Sequence, residues 1–437
     1  MAHITPFKGL CYRLEKPDDL GRFISPPYDM VDDAMIDALY RRDPLNVVRI
    51  IQNRPQEGDS NNMDRHRRAA GLLRQWIGNG TLVRDKSPSV YIYRQQFDVG
   101  PAEGAVAYTR TGVIVLVKLV DYEEGVVFPH EYTLTGPKID RYELLQATRS
   151  NTELVFGIVP DPDRGLFSVI ERAVPEECRG YCVDENKVRH SLYFNSDPAV
   201  AASLTKAMSE RTILIADGHH RYETGLQFAR ETGNPGHGFI MMNLVSMADP
   251  GLIIRAFHRI VKKRAATETI DLLDALSAYF DTTDLGPASL DAVRRFLADT
   301  PEGHEMLYLD ARSKHCFGLT LSASGLRYLE DHSRGMSMRW NRLDVSKINS
   351  IVVGGIFNLP LDGKVLHEVM DYVNDAGVAF EKACHSAEGY HGVFFIRPLD
   401  IGTVNAIVSG KERMPQKSTN FFPKCYSGLV FNTMESP

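Results

Sequence analysis

Thr212-Ile213-Leu214-Ile215-Ala216 is an unbroken, β-branched apolar run that stops at Asp217-Gly218. Helical spacing resumes from about His220 to Arg230, and Gly233 closes it. A short apolar run of this kind reads as a buried strand, and the glycine permits the turn into the helix. A chain that feeds a buried strand straight into a helix is neither all-α nor all-β.

The same alternation continues elsewhere. Asp64 to Ile77 has helical spacing, with Ala69, Leu72, Leu73, Trp76 and Ile77 on one side, and Asn79-Gly80 stops it. Val90 to Val99 and Val106 to Leu119 read as strands around Gly100-Pro101-Ala102-Glu103-Gly104, a hairpin. Pro137 opens a helix to about Thr148, and another runs from Pro198 to Glu210. Val47 to Ile51 is a short β-branched run, and Phe239 to Val245 is a further strand. Beyond them the spacing predicts helices over 265–280, 290–297, 364–374 and 404–408, with strands over 306–309, 315–321 and 393–396. Mixed α+β is the expected class. With 437 residues, two or three units are expected. Three cations at Lys262-Lys263-Arg264 suggest a boundary, giving regions 1–262 and 263–437, and a solvated helix end is the alternative. The polar stretch 300–342 is either an insertion or part of the second lobe.

Composition narrows the function. The chain is 43% hydrophobic and 24% charged, with 50 Lys plus Arg against 56 Asp plus Glu, a net charge of −6. That balance offers no global attraction for a phosphate backbone, so nucleic acid is not expected as a partner. No window approaches the roughly 18 apolar residues that cross a bilayer; Lys118 interrupts the best, Thr111 to Val120. The six cysteines are too sparse for a disulfide scaffold, and a reduced, cytoplasmic protein is expected.

Four clusters carry candidate chemistry. The first is Asp217-Gly218-His219-His220-Arg221. A helix N-terminus carries unpaired N–H groups and suits an anion, Arg221 is a bidentate donor, and the histidines titrate near neutrality. Asp217 suits Mg2+ or a proton; otherwise it merely caps the helix. The second is Arg413 to Lys424, where Lys417, Ser418 and Thr419 offer an ammonium and hydroxyls to a polyphosphate without the glycines of a P-loop; a surface crossing with solvated Lys and Ser is the alternative. The third holds His130, Glu131, Lys138, Arg141 and Arg149, and lacks the second histidine of a zinc-protease helix; an ordinary loop and Pro-started helix with exposed charges is the alternative. In the fourth, Pro26-Pro27 presents Tyr28 and Asp29 stiffly; Asp29 is a proton acceptor or a helix cap. Cys178, Cys182 and His190 lack the further ligands of a zinc site.

Phe7-Lys8-Gly9-Leu10, Ser25-Pro26-Pro27-Tyr28-Asp29, Asn46-Val47-Val48-Arg49, Pro129-His130-Glu131, Gly136-Pro137-Lys138, Ala216 to Glu223, Ala248-Asp249-Pro250-Gly251 and Met414-Pro415-Gln416-Lys417-Ser418-Thr419 resemble, in this order, a bacterial family catalogued as a domain of unknown function and labelled ParB-like. The resemblance covers nearly the whole chain. It implies a ParB/sulfiredoxin-like mixed-sheet core with large elaborations and a second lobe, whose C-terminal loop (413–424) returns to the site. Sulfiredoxins need a cysteine where this chain has His219, so thiol chemistry has no nucleophile. ParB proteins carry Gly-Glu-Arg-Arg at the turn and a helix-turn-helix, neither of which is evident here. The nearest match is to kinases of free L-serine.

The resemblance therefore implies phosphorylation of L-serine to O-phospho-L-serine, with pyrophosphate or ATP as donor. Gly218, His219, His220, Arg221, Lys417, Ser418 and Thr419 would bind phosphate. Asp217, Asp29 and His220 would be catalytic, with Mg2+ on Asp217. His130, Glu131, Lys138 and Arg141 would meet the substrate. The alternatives are a nucleotide-binding (CTP or ATP) regulator and a phosphotransferase acting on another small hydroxyl compound.

Overall fold

The computed structural model describes all residues except 101–104, 132–134, 299–303, 333–334, 386–388 and 435–437, together with the side chains of 135 and 137. The chain forms two compact units, Met1–Ile253 with Phe421–Pro437, and Ile254–Asn420. The division precedes Lys262, and the last residues rejoin the first unit. The loop 413–424 is thereby split: 413–420 belongs to the second unit and 421–424 to the first.

A nine-stranded mixed sheet organises the first unit. From one edge its path runs Val127–Pro129, Ile213–Asp217, Val155–Val159, Phe239–Ser246, Val106–Lys118, Val90–Val99, Arg189–Asn195 and Gly180–Val183. Ile4–Thr5 joins off this path against Val106–Lys118. Ile213–Asp217 lies parallel to one neighbour and antiparallel to the other. Having a strand on each side, it is buried along its length, which is why it reads as continuously apolar. Val90–Val99 and Val106–Lys118 pair antiparallel from Val99↔Val106 to Tyr91↔Ile114, while most of the expected turn (101–104) lies outside the described residues. The core beneath the sheet includes Val113, Val115, Val155, Ile213, Ile215 and Leu244, all buried. A second cluster packs Tyr12, Phe23, Ile50, Leu73, Trp76 and Phe431 around the helix Asn62–Gly78.

A six-stranded antiparallel sheet forms the second unit, in the order Phe280–Pro287, His315–Leu321, Met306–Asp310, Tyr390–Phe395, His258–Lys262 and Met370–Val373. The stretch 300–342 thus supplies two of its strands and is part of this lobe. A π-helical segment, Ile348–Ile356, buries Ile348, Ile351, Val352 and Val353 in its core.

Three local expectations give way to tertiary context. Val47 to Ile51 is helical at Val48–Ile51, its apolar side chains buried on the Trp76 cluster. Only Leu272–Leu276 of 265–280 is helical. The helix expected over 364–374 ends at Val369, because Met370–Val373 takes up a ladder against His258–Lys262.

Candidate functional site

Asp217 is aimed by an irregularity in its strand. The ladder against Val155–Val159 pairs Ile215 with Gly157 and Asp217 with Phe156, so Ala216 is an extra residue. A bulge of this kind re-aims the side chains beyond it. Gly218 follows at φ 87°, in the left-handed region, and the helix His219–Thr232 starts there. Gly218 offers no side-chain cap, which leaves the first-turn N–H groups facing an anion's direction of approach. A Cβ at this position would stand 3.0 Å from Arg221 Nε, so the glycine also lets that guanidinium fold back close to the turn.

The alternative in which Asp217 only caps the helix is not what the geometry gives. Arg221 Nη2 donates to Asp217 Oδ2 at 2.7 Å, and Lys424 Nζ donates to Oδ1 at 2.6 Å. Burial alone would raise the Asp217 carboxyl; Lys424 and Arg221 overcome it and hold the group well below the usual carboxylate range. The Lys424 ammonium, which burial would lower, is raised by Asp217 and Asp29.

Asp29 lies in the short 3₁₀ turn Tyr28–Met30, and Asp32, not Asp29, caps the helix Asp33–Arg42 that follows. Its side chain is accessible to water yet recessed among protein atoms, and that surrounding pushes its carboxyl up. The charge of Asp217 adds to the rise, while Arg221 and Lys424 oppose it. Two neighbouring carboxyls are therefore driven in opposite directions.

The histidines join the same place. His220 Nδ1 is 3.3 Å from the Tyr28 hydroxyl. The backbone N–H of His130 donates to His219 Nε2 at 3.3 Å, and the two rings are 4.7 Å apart. Burial, then the charge of His130, lowers His219 to about 3, so its ring is neutral and accepts that bond. His130 Nδ1 lies 2.6 Å from the carbonyl of Ile215, and its Nε2 is 3.4 Å from Glu131.

Two of the expected substrate residues have partners of another kind. Arg141 is buried, donates to Glu153 at 2.9 Å and to the carbonyl of Ile51, and lies 4.2 Å over the Tyr28 ring. It acts on the site through Tyr28, whose N–H also donates to Glu153. Lys138 pairs with Glu223 at 3.0 Å. Lys417, Ser418 and Thr419 belong to the second unit, where Arg259 donates to the carbonyl of Lys417 at 2.9 Å and Ser418 donates to that of Pro415.

Lys424 carries no role in the sequence reading, and its tether explains how it arrives. Buried Arg110 donates to the carbonyls of Phe422 and Pro423, and Gln95 donates to that of Lys424 at 3.0 Å. Asn243 reaches Cys425 Sγ at 3.4 Å. A lone lysine after a proline carries no periodic signal that would have singled it out.

Both oxygens of Asp217 are engaged by cations, and among the described residues no group of three or more His, Cys, Asp or Glu is placed to hold a metal ion. Asp217 does not fit Mg2+ while it holds Lys424 and Arg221. Among the described residues no helix is long and apolar enough to cross a membrane.

A mixed α+β fold with cations and carboxylates gathered at a strand-to-helix turn defines the class. The chain belongs to the family described as "Protein of unknown function (DUF1015)", which it matches over residues 4–346. Among curated proteins none matches the sequence. Among solved structures it is similar to a free serine kinase in complex with AMP, at 12% identity and a TM-score of 0.34, covering 70% of this chain and 86% of that one. A conserved hypothetical protein from Pyrococcus furiosus gives 13% and 0.34, covering 71% and 93%. SbnI with a C-terminal truncation, from Staphylococcus aureus, gives 10% and 0.35, covering 72% and 85%.

Proposed function

We propose that this chain is a phosphotransferase of the ParB/sulfiredoxin type that phosphorylates free L-serine to O-phospho-L-serine, with pyrophosphate or ATP as donor. The observation that carries the reading is the opposite tuning of two adjacent carboxyls beside two cations. Environments that drive neighbouring titratable groups apart divide acid–base labour between them. Asp29, whose carboxyl is raised, is the stronger base of the two and the candidate to accept the hydroxyl proton. Asp217, held ionised, is a weak base and serves to orient Lys424 and Arg221.

In this reading the serine hydroxyl oxygen attacks the donor's terminal phosphorus as Asp29 takes its proton. The bond from phosphorus to the bridging oxygen breaks, and phosphate or ADP leaves with the electron pair. Phosphoryl transfer asks mainly for positioning and charge neutralisation. Arg221, Lys424 and the N–H groups at the start of His219–Thr232 supply both, with His220 and a neutral His219 as further hydrogen-bonding groups. Glu131, whose charge reaches Lys424, suits the serine ammonium. Mg2+, when bound, would neutralise donor phosphates, and no step is assigned to it.

Phosphorus NMR of the full chain with L-serine, Mg2+ and, separately, pyrophosphate, ATP or ADP tests the proposal. An O-phosphoserine resonance with one donor supports it and names that donor. Silence with every donor, from folded protein, overturns it.

A further inference from the structure

A cavity of 410 Å³ opens in the first unit, and none of its lining residues belongs to the Asp217 cluster. Its volume lies in the range of small-molecule sites. The inner wall is apolar, with Ile24 and Leu39 both buried and Met35 beside them. The lining carries both signs: Arg22 and Arg42 on one hand, Asp18 and Glu185 on the other, with Asp184 held by Tyr426 and His190. Arg42 and Glu185 stand 3.4 Å apart and are well exposed, a pairing of little strength that a ligand's charges can replace. Arg22 is fixed at the rim by Asp43 at 2.8 Å.

Two walls of this cavity continue into the cluster described above. Pro26 precedes Tyr28 and Asp29, and Tyr426 follows Lys424. Between them Ser25 and Ser427 exchange backbone hydrogen bonds in both directions, at 3.2 and 2.8 Å. Tyr426 is itself held, its hydroxyl donating to Asp184 at 2.9 Å and its ring 4.0 Å from that of His190.

We propose that this cavity binds a free α-amino acid with an apolar side chain. The ammonium faces Asp18 and Glu185, the carboxylate faces Arg22 and Arg42, and the side chain lies against Ile24 and Leu39. A lining that mixes acids with arginines matches a zwitterion and disfavours a polyphosphate, which would meet three carboxylates. Pro26 and Tyr426 join this cavity directly to the segments bearing Asp29 and Lys424.

The test is isothermal titration calorimetry of the full chain with L-leucine and with L-phenylalanine, repeated with AMP and with pyrophosphate. Two variants accompany it: Arg42→Glu at the exposed rim, and Met35→Trp, which fills the cavity from a partly exposed helix position. Saturable binding of either amino acid, weakened at least about tenfold in both variants, is expected, with pyrophosphate binding unchanged. Absence of heat with both amino acids overturns the proposal. So does binding that both variants leave intact, or AMP binding that Met35→Trp abolishes, which would give the cavity to a nucleotide. Calorimetry needs no turnover, so failure of the serine kinase reading leaves the binding result standing.

Discussion

Lys424 Nζ lies 2.6 Å from Asp217 Oδ1, across 207 positions of sequence. With Arg221 on the other oxygen, Asp217 is the shared anchor of two cations that differ in kind, a planar fork and a compact point charge.

Substituting Lys424→Met removes the point charge and leaves the fork. Turnover is expected to fall on the order of 10²- to 10³-fold, the cost of losing one preorganised group that stabilises developing charge. The melting temperature should move little, since Arg221 still pairs with Asp217. Steady-state kinetics alongside thermal unfolding check this; a Lys424→Met protein with unchanged kcat removes Lys424 from the chemistry.

The acid limb of the pH–rate profile should report Asp29. Its carboxyl is raised, so activity is low at the pH where an ordinary aspartate is already ionised and climbs as pH rises through the shifted value. Lys424 opposes that rise and Asp217 adds to it. Lys424→Met should therefore move the residual limb to higher pH, and Asp217→Asn should move it to lower pH. Profiles of kcat/KM for the three proteins provide the comparison; limbs that coincide would assign the titration elsewhere.

Stability at acid pH should depend on His219. Its folded-state value is lowered from 6.5 to about 3. Between those limits the unfolded chain binds a proton that the folded chain refuses, so stability rises with pH across the window and the penalty vanishes above 6.5. A His219→Gln protein should lose that part of the slope. Urea unfolding at a series of pH values measures it, and an unchanged slope would show the imidazole to be protonated in the folded state.

Replacing Arg110 by Met strips donors from the carbonyls of Phe422 and Pro423. Each unsatisfied acceptor costs about 1–3 kcal/mol, and relief of a buried charge offsets part of it. A net loss of about 1–3 kcal/mol is expected, with a fall in kcat larger than any change in KM because Lys424 is displaced. Retention of kcat in a destabilised Arg110→Met protein would mean the tether does not position the lysine.

Much of the site was legible where its parts lie close in sequence. Asp217 and Arg221 are one helical turn apart, and a β-branched run ending on Asp-Gly announces the strand-to-helix turn that brings them together. Asp29 reads in the sequence as a proton acceptor or a helix cap, and Asp32 takes the cap. Lys424 was hidden because nothing local distinguishes a lysine whose partners, Gln95 and Asp217, come from distant strands. Met370–Val373 was misread for a related reason. Leu366, Val369 and Met370 keep helical spacing, and only the ladder offered by His258–Lys262 decides against it. Arg141 shows the opposite limit: its placement near the site was readable, but its stacking on Tyr28 depends on a loop more than a hundred residues earlier.

The return of 421–437 to the first unit has a bearing on synthesis. A ribosome makes Asp29, Asp217 and Arg221 before it starts the second unit, and reaches Lys424 only after completing that unit. A chain halted anywhere in 254–420 therefore holds one cation of the pair and lacks the other. Phe431, which pairs with Leu10 and packs in the Trp76 cluster, is missing from it too. Translation to the tail is thus a condition for assembling the cluster, and truncated products are disarmed by the order of the sequence itself.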